Sequence, residues 1–334
     1  MRKLVFLLSG VLALALLGGV RPAEAASPQY YLGGMTAGFS LSANGVEVIG
    51  LKEVVSEGGV SCPAADAGIR AGDKIVAVDG IHTRTVEELG AALGRCGGKC
   101  AEITVRRGGA DVRFSVTPVS DQGTYKIGVL IRDELSGIGT VTYIQKETLR
   151  FASLGHAVCD EARETLSVSS PDVYLCSIVG VNRGARGKAG DLKGVFLSDR
   201  VLGRADKVCA TGLYGTFSET YDFSALPTVE AAPLSAATIG SAVIYSTVDG
   251  TETRAYDVAI AKVDGRNKQN KHFVLKVTDE ALLRETGGIV QGMSGSPIVQ
   301  NGKLIGAVTH VFLNDPTRGY GIGIEAMIGN EKGV

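Results

Sequence analysis

The segment of this sequence best suited to nucleophilic catalysis is a serine with glycines close on both sides. Ser294 lies in the hexapeptide GMSGSP at residues 292–297. A serine hydroxyl becomes a nucleophile when a base accepts its proton and N–H donors stabilise the oxyanion it creates. Because Gly292 and Gly295 let the backbone turn tightly, the amides of Gly292 and Ser294 could converge on one point as an oxyanion hole. The alternative is an ordinary flexible turn, since Gly, Ser and Pro dominate turns for local reasons.

The candidate base comes from a short set, because the chain has four histidines. His156 lies among small residues, where the backbone can approach closely, and it is the candidate general base. His82 and His272 are predicted to be surface residues. His310 follows the serine loop and is interpreted as a core or rim histidine.

The elements around these residues are predominantly short strands. Directly after the serine loop, two apolar β-prone runs are joined by Asn301-Gly302, a strong hairpin signal. Between residues 170 and 276, short apolar runs alternate with Gly, Asn and Asp clusters, and no long helical period appears. The 46 glycines have no collagen-like period and fit many turns between strands. This pattern predicts a mainly β chain that forms a barrel or a sandwich.

Length and charge limit the remaining possibilities. The 334 residues favour two domains. A formal net charge of −1 gives no long-range field that would indicate a nucleic-acid partner. Six cysteines lack the second close pair that a zinc site would need, so we expect no metal and no cofactor. Cys96 and Cys100 could form a disulfide, or the cysteines could be free thiols.

The amino terminus has the pattern of an export signal. Arg2 and Lys3 precede an apolar run at residues 4–20, and small residues follow at Ala23 and Ala25. Residues 1–26 are therefore predicted to be a signal peptide, or a signal anchor, because the run is close to the lower length limit of a membrane span. The remainder is predicted to be an exported body.

A distinctive pair of motifs lies in the first third of the chain, PAADAGIRAGDKI at residues 63–75 and VDG at residues 78–80. On these motifs, residues 30–119 resemble a PDZ domain. In that family, a glycine-containing loop binds a peptide carboxylate and the peptide adds as a strand to the sheet edge. The segment at the corresponding position is predicted to bind peptide carboxyl termini, and it comprises Thr36, Ala37, Gly38 and Phe39. A packing domain without a ligand is the alternative.

Six segments spread over the chain after the PDZ-like part share a family pattern, at residues 126–129, 131–133, 137–140, 154–156, 190–194 and 286–297. On these segments the chain, over nearly its whole length, resembles the stage IV sporulation protein B serine peptidases. The resemblance implies a trypsin-like double β-barrel at residues 124–334, after the PDZ-like domain. It also implies an enzyme that cleaves itself and cuts a membrane-anchored regulator of an intramembrane protease, so that a mother-cell transcription factor matures. The expected location is outside the cytoplasmic membrane, secreted or membrane-anchored, between the forespore and mother-cell membranes.

The resemblance also assigns the catalytic residues. It implies Ser294 as nucleophile, His156 as general base and Asp279, 15 residues before Ser294, as the orienting acid. Asp257 is the alternative acid, because its strand context resembles that of trypsin-like enzymes. Met293 stands where zymogen-activated peptidases of that fold place an aspartate, so activation through that ion pair is not available.

Two other functions remain open from the sequence. One is a non-catalytic PDZ scaffold that binds peptide tails. The other is a general envelope quality-control protease, although those enzymes usually carry the PDZ domain after the barrel and here it comes first.

Overall fold

A computed structural model describes residues 27–158 and 167–331. The described part of the chain is mainly β, with 55% strand and 12% helix, as the sequence predicted. The predicted signal segment at residues 1–26 lies outside the described residues. Within the two described ranges, no helix combines the length and the apolar character that crossing a bilayer requires.

The first part of the chain forms eleven strands and two helices. In chain order they are β1 Gln29–Leu32, β2 Thr36–Leu51, β3 Val54–Ser56, β4 Gly59–Ser61, α1 Pro63–Ala67, β5 Lys74–Val78, β6 Ile81–His82, α2 Val86–Cys96, β7 Ala101–Arg107, β8 Ala110–Val116, β9 Val119–Asp121, β10 Thr124–Lys126 and β11 Val129–Gln145.

The second part, as far as it is described, adds eleven strands, one 3-10 turn at Leu234–Ala236 and two helices. They are β12 Arg150–Ser153, β13 Ser167–Asn182, β14 Asp191–Cys209, β15 Gly212–Phe217, β16 Thr228–Ala231, β17 Gly240–Ser246, β18 Arg254–Val263, β19 Phe273–Val277, α3 Glu280–Thr286, β20 Pro297–Gln300, β21 Lys303–Phe312, β22 Asp315–Gly323 and α4 Ile324–Glu331.

Local sequence explains where the helices begin and end. The Thr85 side chain accepts a hydrogen bond from the Glu88 amide and so caps α2, which ends at Gly97 in the left-handed region with φ 58°. Asp279 caps α3 in the same way, and that helix ends at Gly287 with φ 76°. Capping satisfies N–H groups that have no partner within the helix, and glycine adopts positive φ without strain.

Strand pairing closes two six-stranded barrels. In the first barrel the ring runs β2, β11, β12, β15, β14, β13 and back to β2. In the second it runs β17, β18, β19, β22, β21, β20 and back to β17. Closure satisfies the backbone hydrogen bonds of both edges of each sheet. The expected double β-barrel is therefore the architecture of the peptidase part.

The PDZ-like part is inserted between two strands of the first barrel. β2 and β11 pair antiparallel from Thr36 opposite Thr140 to Leu51 opposite Val129. Residues 52–128 connect the far ends of this pair, and their sheet continues from β2 through β5, β7 and β8. Both helices α1 and α2 contribute to a separate apolar core that includes Ala64 and Leu89.

This arrangement changes the predicted domain limits of 30–119 and 124–334. Tyr30 and Phe39 belong to barrel cores, whereas the core of the PDZ-like part begins at Val46 and extends through Ile127. β2 passes from one unit into the other without interruption. Asn44-Gly45, a dipeptide typical of turns, lies at this passage. The strand nevertheless continues through it, with a shift in the β2–β11 register between Arg132 and Glu134, so the dipeptide marks an irregularity within β2.

The two barrels are joined by a shared apolar cluster and by short bridging strands. The cluster combines Tyr143 and Tyr214 of the first barrel with Leu304 and Ile322 of the second, and α4 covers it. β1 pairs with β11 and with β16, and β16 pairs in parallel with β21. These contacts fix the cleft between the barrels, where the candidate site lies.

The cysteines described by the structure are free thiols. Cys96 and Cys100 do not form the disulfide that the sequence left open, and Cys62, Cys176 and Cys209 are also unpaired. Burial raises the pKa of the Cys176 thiol to about 11. Its thiolate form is therefore disfavoured, and Cys176 acts as a small apolar core residue.

Candidate active site

The loop that carries Ser294 consists of two consecutive tight turns. The Met293 amide donates to the Val290 carbonyl at 3.2 Å, and the Ser296 amide donates to the Met293 carbonyl at 3.0 Å. The third residue of each turn is a glycine, Gly292 or Gly295, and each has φ 99°. A positive φ at this position is typical of type II turns and is accessible to glycine without strain. The two glycines therefore present Ser294 on a sharply folded loop.

The first barrel holds this loop from the opposite side. The Thr140 hydroxyl donates to the Gly292 carbonyl at 2.8 Å, and the Thr142 hydroxyl donates to the Gly295 carbonyl at 2.7 Å. The Thr140 amide also donates to the Ser294 carbonyl at 2.9 Å. β11 thus supplies three hydrogen bonds to a loop that the second barrel carries.

Gly295 leaves no room for a side chain. A Cβ atom at this position would lie 2.0 Å from the Thr140 carbonyl oxygen and 2.6 Å from the Leu154 amide nitrogen. Both neighbours are backbone atoms, so they cannot move aside as a side chain would. The nucleophile loop and β11 approach each other as closely as they do because this residue is glycine.

Two amides of the loop are available for an oxyanion. Among the described residues, no protein acceptor binds the amide of Gly292 or that of Ser294, whereas the intervening Met293 amide is used within the turn. N–H donors that are not engaged within the protein are what an oxyanion hole requires. The assignment of Gly292 and Ser294 as its donors stays a prediction, and the free amides support it.

The Ser294 hydroxyl donates to the backbone carbonyl of Thr309 at 2.7 Å. No hydrogen bond joins it to His156 within the described part of the chain. The Ser294 side chain would therefore have to rotate to bring its hydroxyl to His156. Catalytic hydrogen bonds are often formed only in the substrate complex.

His156 follows a strained bend at the end of β12. Leu154 and Gly155 both have positive φ, of 71° and 69°. The Nδ1 atom of His156 is 2.7 Å from the Ala157 carbonyl oxygen. Because a carbonyl can only accept, Nδ1 carries the proton and Nε2 is left as the acceptor, which is the tautomer that a general base needs. Burial lowers the pKa of His156, which favours the neutral form, although the bond to Ala157 opposes this shift.

A second histidine, His310, lies beside His156. The rings of His156 and His310 have centroids 4.7 Å apart and planes inclined by 40°. His310 lies at the rim, as the sequence suggested, and is exposed. Partial loss of hydration and the nearby His156 and Lys271 lower its pKa. Its contact with the base was not anticipated, because it depends on how β21 lies against the β12 bend.

Ser294 and His156 open into one cavity of about 340 Å³ between the barrels. His310 and Gly292 also line it, and most of the other lining side chains are apolar. The structure therefore brings the predicted nucleophile, the predicted base and both residues predicted to donate to the oxyanion to the same cleft.

Neither candidate acid lines that cavity. The Asp279 carboxylate accepts from the Leu282 amide at 2.8 Å as the cap of α3, and its second oxygen is 3.5 Å from the Asp257 amide. Asp257 is exposed on β18. In the described part of the chain, the only hydrogen bond recorded for the His156 ring is the one to Ala157. The role of Asp279 as orienting acid stays a prediction.

Met293 holds the loop by packing. Its side chain is fully buried in the core of the second barrel, in the cluster that includes Val290, Ile298 and Val308. In zymogen-activated peptidases of this fold, the residue at this position is an aspartate that pairs with a freed amino terminus. An apolar side chain here anchors the turn without an ion pair and without proteolytic activation of that kind.

The predicted peptide-carboxylate loop is in a different place. Thr36, Ala37 and Phe39 are buried in β2, between β11 and β13. A Cβ atom at Gly38 would meet the Phe196 ring at 2.3 Å. Because the backbone is paired on both sides, these residues offer no edge for strand addition. The structure thus moves all four from the PDZ-like domain to the peptidase barrel, where Phe39 lines the active-site cavity.

Two residues that position the site carried no signal in the sequence. Thr140 lies in a β-branched run that predicts a strand and nothing more, and Thr309 contributes a backbone carbonyl, which is the same in every residue. Their roles arise from strand register across the barrels, and sequence spacing does not reveal it.

The double barrel, the loop with free amides and the adjacent histidine together define a serine peptidase. A family model for SpoIVB peptidase S55 matches residues 123–328, which is more than half of the chain, and one for the PDZ domain matches residues 54–107. The chain belongs to the SpoIVB peptidase S55 family.

Similarity to individual proteins is more limited. The chain is 32% identical over 124 residues to the Lactococcus lactis protein LL2128, covering 35% of this chain and 28% of that protein. It is also 32% identical over 114 residues to the Agrobacterium fabrum protein Atu1380, covering 34% and 30%. Both carry the name of zinc metalloproteases, and the chain spans less than a third of their length.

Among solved structures, the inactive mutant form of Rv3671c from M. tuberculosis aligns with 60% of this chain and 84% of its own. The sequence identity is 13% and the TM-score is 0.29, so the alignment carries no argument about this protein.

Proposed function

We propose that this protein is an exported serine endopeptidase in which Ser294 is the nucleophile and His156 the general base. The observation that carries the proposal is that Ser294, a neutral histidine and the unoccupied amide of Gly292 share one cavity. Nε2 of His156 accepts the Ser294 proton while the serine oxygen bonds to the substrate carbonyl carbon. The oxyanion is stabilised by the amides of Gly292 and Ser294.

The acyl-enzyme then forms and is hydrolysed. The peptide C–N bond breaks as His156 returns the proton to the leaving nitrogen, which departs as the amine. A water molecule gives a proton to His156 and its oxygen bonds to the acyl carbon, so that a carboxylic acid is released and Ser294 recovers its proton. For the first step, the Ser294 hydroxyl must leave the Thr309 carbonyl and turn towards His156.

The proposed orienting acid remains Asp279, on the resemblance to the family. Its carboxylate now accepts from the Leu282 amide at the amino terminus of α3. The bond from His156 to the Ala157 carbonyl already selects the required tautomer. The acid would therefore add stabilisation of the imidazolium that forms when His156 accepts the proton.

The proposed biological role follows the family. The enzyme would be exported through its amino-terminal segment, secreted or membrane-anchored between the forespore and mother-cell membranes, and would cleave itself. It would then cut a membrane-anchored regulator of an intramembrane protease and so activate a mother-cell transcription factor. Family membership and the PDZ-like part support this role.

Ser294→Ala tests the peptidase function. We expect wild type to be labelled at Ser294 by a fluorophosphonate and to show self-cleavage near the amino terminus by intact mass spectrometry. The variant should lose both, with turnover reduced by about three to six orders of magnitude. Ser296→Ala is the control, because its hydroxyl bonds to Met293 and Ser246 within the protein. Unchanged processing in Ser294→Ala would contradict the proposal.

A further inference from the structure

The geometry points to cleavage after an apolar residue, so that the side chain preceding the scissile bond occupies the cavity beside Ser294. This inference rests on the proposed peptidase function and specifies its substrate class. The cavity opens directly at Ser294 and His156, so a carbonyl held by the amides of Gly292 and Ser294 would bring its own side chain to these walls.

The walls come from both barrels and are hydrocarbon. The first barrel contributes Phe39, Ile138 and Leu154, and the second contributes Val290, Val311 and Leu313. Burying an apolar side chain against such walls stabilises the complex by about 25 cal/mol for each Å² of apolar surface removed from water. Substrate binding therefore has an apolar component next to the reacting bond.

Among the residues that the structure describes, the cavity lining includes no Asp, Glu, Lys or Arg, and its only ionisable groups are His156 and His310. The described walls therefore offer no opposite charge to an acidic or basic side chain. The pKa of each histidine is lowered, so both are neutral near pH 7. A buried charge without a partner is strongly disfavoured, so acidic and basic side chains are excluded at this position.

The cavity has space for a large side chain. A Cβ atom added at Gly137 would meet no heavy atom within 4 Å, although Gly137 lines the cavity opposite Phe39 in the strand pair. The volume of about 340 Å³ is within the range of sites that enclose small ligands. We therefore expect residues such as Leu, Met and Phe to be preferred over Gly and Ala.

The first experiment uses full-length protein and internally quenched peptides that differ at one position. Fluorophosphonate labelling first establishes that Ser294 is active. Peptides with Leu or Phe before the scissile bond should then show kcat/KM at least ~100-fold above peptides with Asp or Lys. Equal or faster cleavage after Asp or Lys would overturn the inference while leaving the peptidase function intact. Absence of labelling would instead contradict the peptidase function itself.

The second experiment fills the cavity. Gly137→Val should lower kcat/KM for the Phe peptide by about 10-fold or more relative to the Ala peptide, with fluorophosphonate labelling retained. Gly180→Val is the matched control, because Gly180 also lies in a strand with open space around it and does not line the cavity. An unchanged ratio of Phe to Ala cleavage in labelled Gly137→Val would overturn the inference.

A third variant introduces charge where the cavity meets solvent. Val311→Asp should raise cleavage of the Lys peptide relative to the Leu peptide by about 10-fold, because the new carboxylate supplies the missing partner. Val195→Asp, on an exposed site outside the cavity, is the control. If labelled Val311→Asp keeps the wild-type ratio, the side chain preceding the scissile bond does not reach this wall and the inference fails.

Discussion

Thr140 of the first barrel donates its hydroxyl to the carbonyl oxygen of Gly292, at 2.8 Å, in the nucleophile loop of the second barrel. The bond orients the peptide group between Gly292 and Met293, directly after one predicted oxyanion donor and before the nucleophile. The alignment of the two barrels and the geometry of the reacting loop are thereby linked through one side chain.

We expect Thr140→Val to lower turnover by about 10-fold while the fold is kept. The substitution preserves shape but leaves the half-buried Gly292 carbonyl without its hydrogen-bond donor, which costs about 1–3 kcal/mol of interaction free energy in the loop. Thr140→Ser keeps the hydroxyl and should restore most of the activity. The rate of fluorophosphonate labelling measures the effect, and wild-type labelling of Thr140→Val would show that the bond does not position the loop.

Gly295→Ala should destabilise the protein much more than Gly302→Ala. Both glycines have positive φ, of 99° and 73°, but an added Cβ atom at Gly302 meets nothing within 4 Å. Gly302→Ala should therefore cost about 1 kcal/mol of conformational strain. Gly295→Ala adds a collision with the Thr140 and Leu154 backbones, and we expect a loss of about 3 kcal/mol or more. Thermal unfolding of the two variants gives the comparison, and equal losses would contradict the close approach described here.

The activity should depend on pH through a histidine that stays neutral to lower pH than usual. Burial lowers the pKa of His156 below its ordinary 6.5, so the base is protonated only at more acidic pH. We expect kcat/KM to rise with pH and to reach half its plateau below pH 6.5. A midpoint above pH 6.5 in a kcat/KM profile would argue against a buried neutral base.

The same shift predicts how stability changes with pH. Between the folded-state and unfolded-state pKa values of His156, the unfolded chain binds more protons, so the free energy of unfolding falls as pH decreases from about 6.5. His272 and His310 also have lowered pKa values and add to the slope. Urea unfolding of wild type and His156→Gln at pH 7.5 and pH 5 measures the contribution, which should be smaller in the variant.

Asp279→Asn and Asp257→Asn separate the two candidate acids. Asparagine is a good N-cap, so Asp279→Asn should keep α3 stable while the charge is removed. If Asp279 acts on His156, this variant loses activity by about 10⁴-fold and Asp257→Asn does not. Asp279→Ala should in addition lose about 1 kcal/mol of stability with the cap. Loss of activity in Asp257→Asn alone would transfer the role to Asp257.

The sequence predicted the features that depend on local pattern. The glycines around Ser294 predicted the loop, and the Asn-Gly pair after it predicted the hairpin. Both structures require backbone angles that these residue types adopt easily. The family resemblance supplied the double barrel. The wrong predictions concern features that depend on the register between distant strands. Thr36 and Phe39 were predicted to be loop residues near a PDZ-like motif, but they pair with residues about 100 positions later in the chain.

The same limit applies to the acid. The local sequence predicts that Asp279 caps a helix, whereas the family resemblance predicts a catalytic role. In the structure its side chain accepts from the Leu282 amide and caps α3. Which residues surround His156 is decided by how the bend after β12 lies against β21. No local sequence rule specifies that contact.

The insertion of residues 52–128 at the far end of the β2–β11 pair has a consequence for how this enzyme can be dissected. Removing residues 30–119, the limits that the sequence suggested, would also remove most of β1 and all of β2, a strand of the first barrel. Loss of activity in that deletion would therefore not report on the role of the PDZ-like part. The entering and leaving strands are hydrogen-bonded neighbours at Leu51 and Val129. Replacing residues 52–128 with a tight turn should therefore join β2 directly to β11 and leave the double barrel closed. Replacing them with an unrelated domain should leave it closed as well.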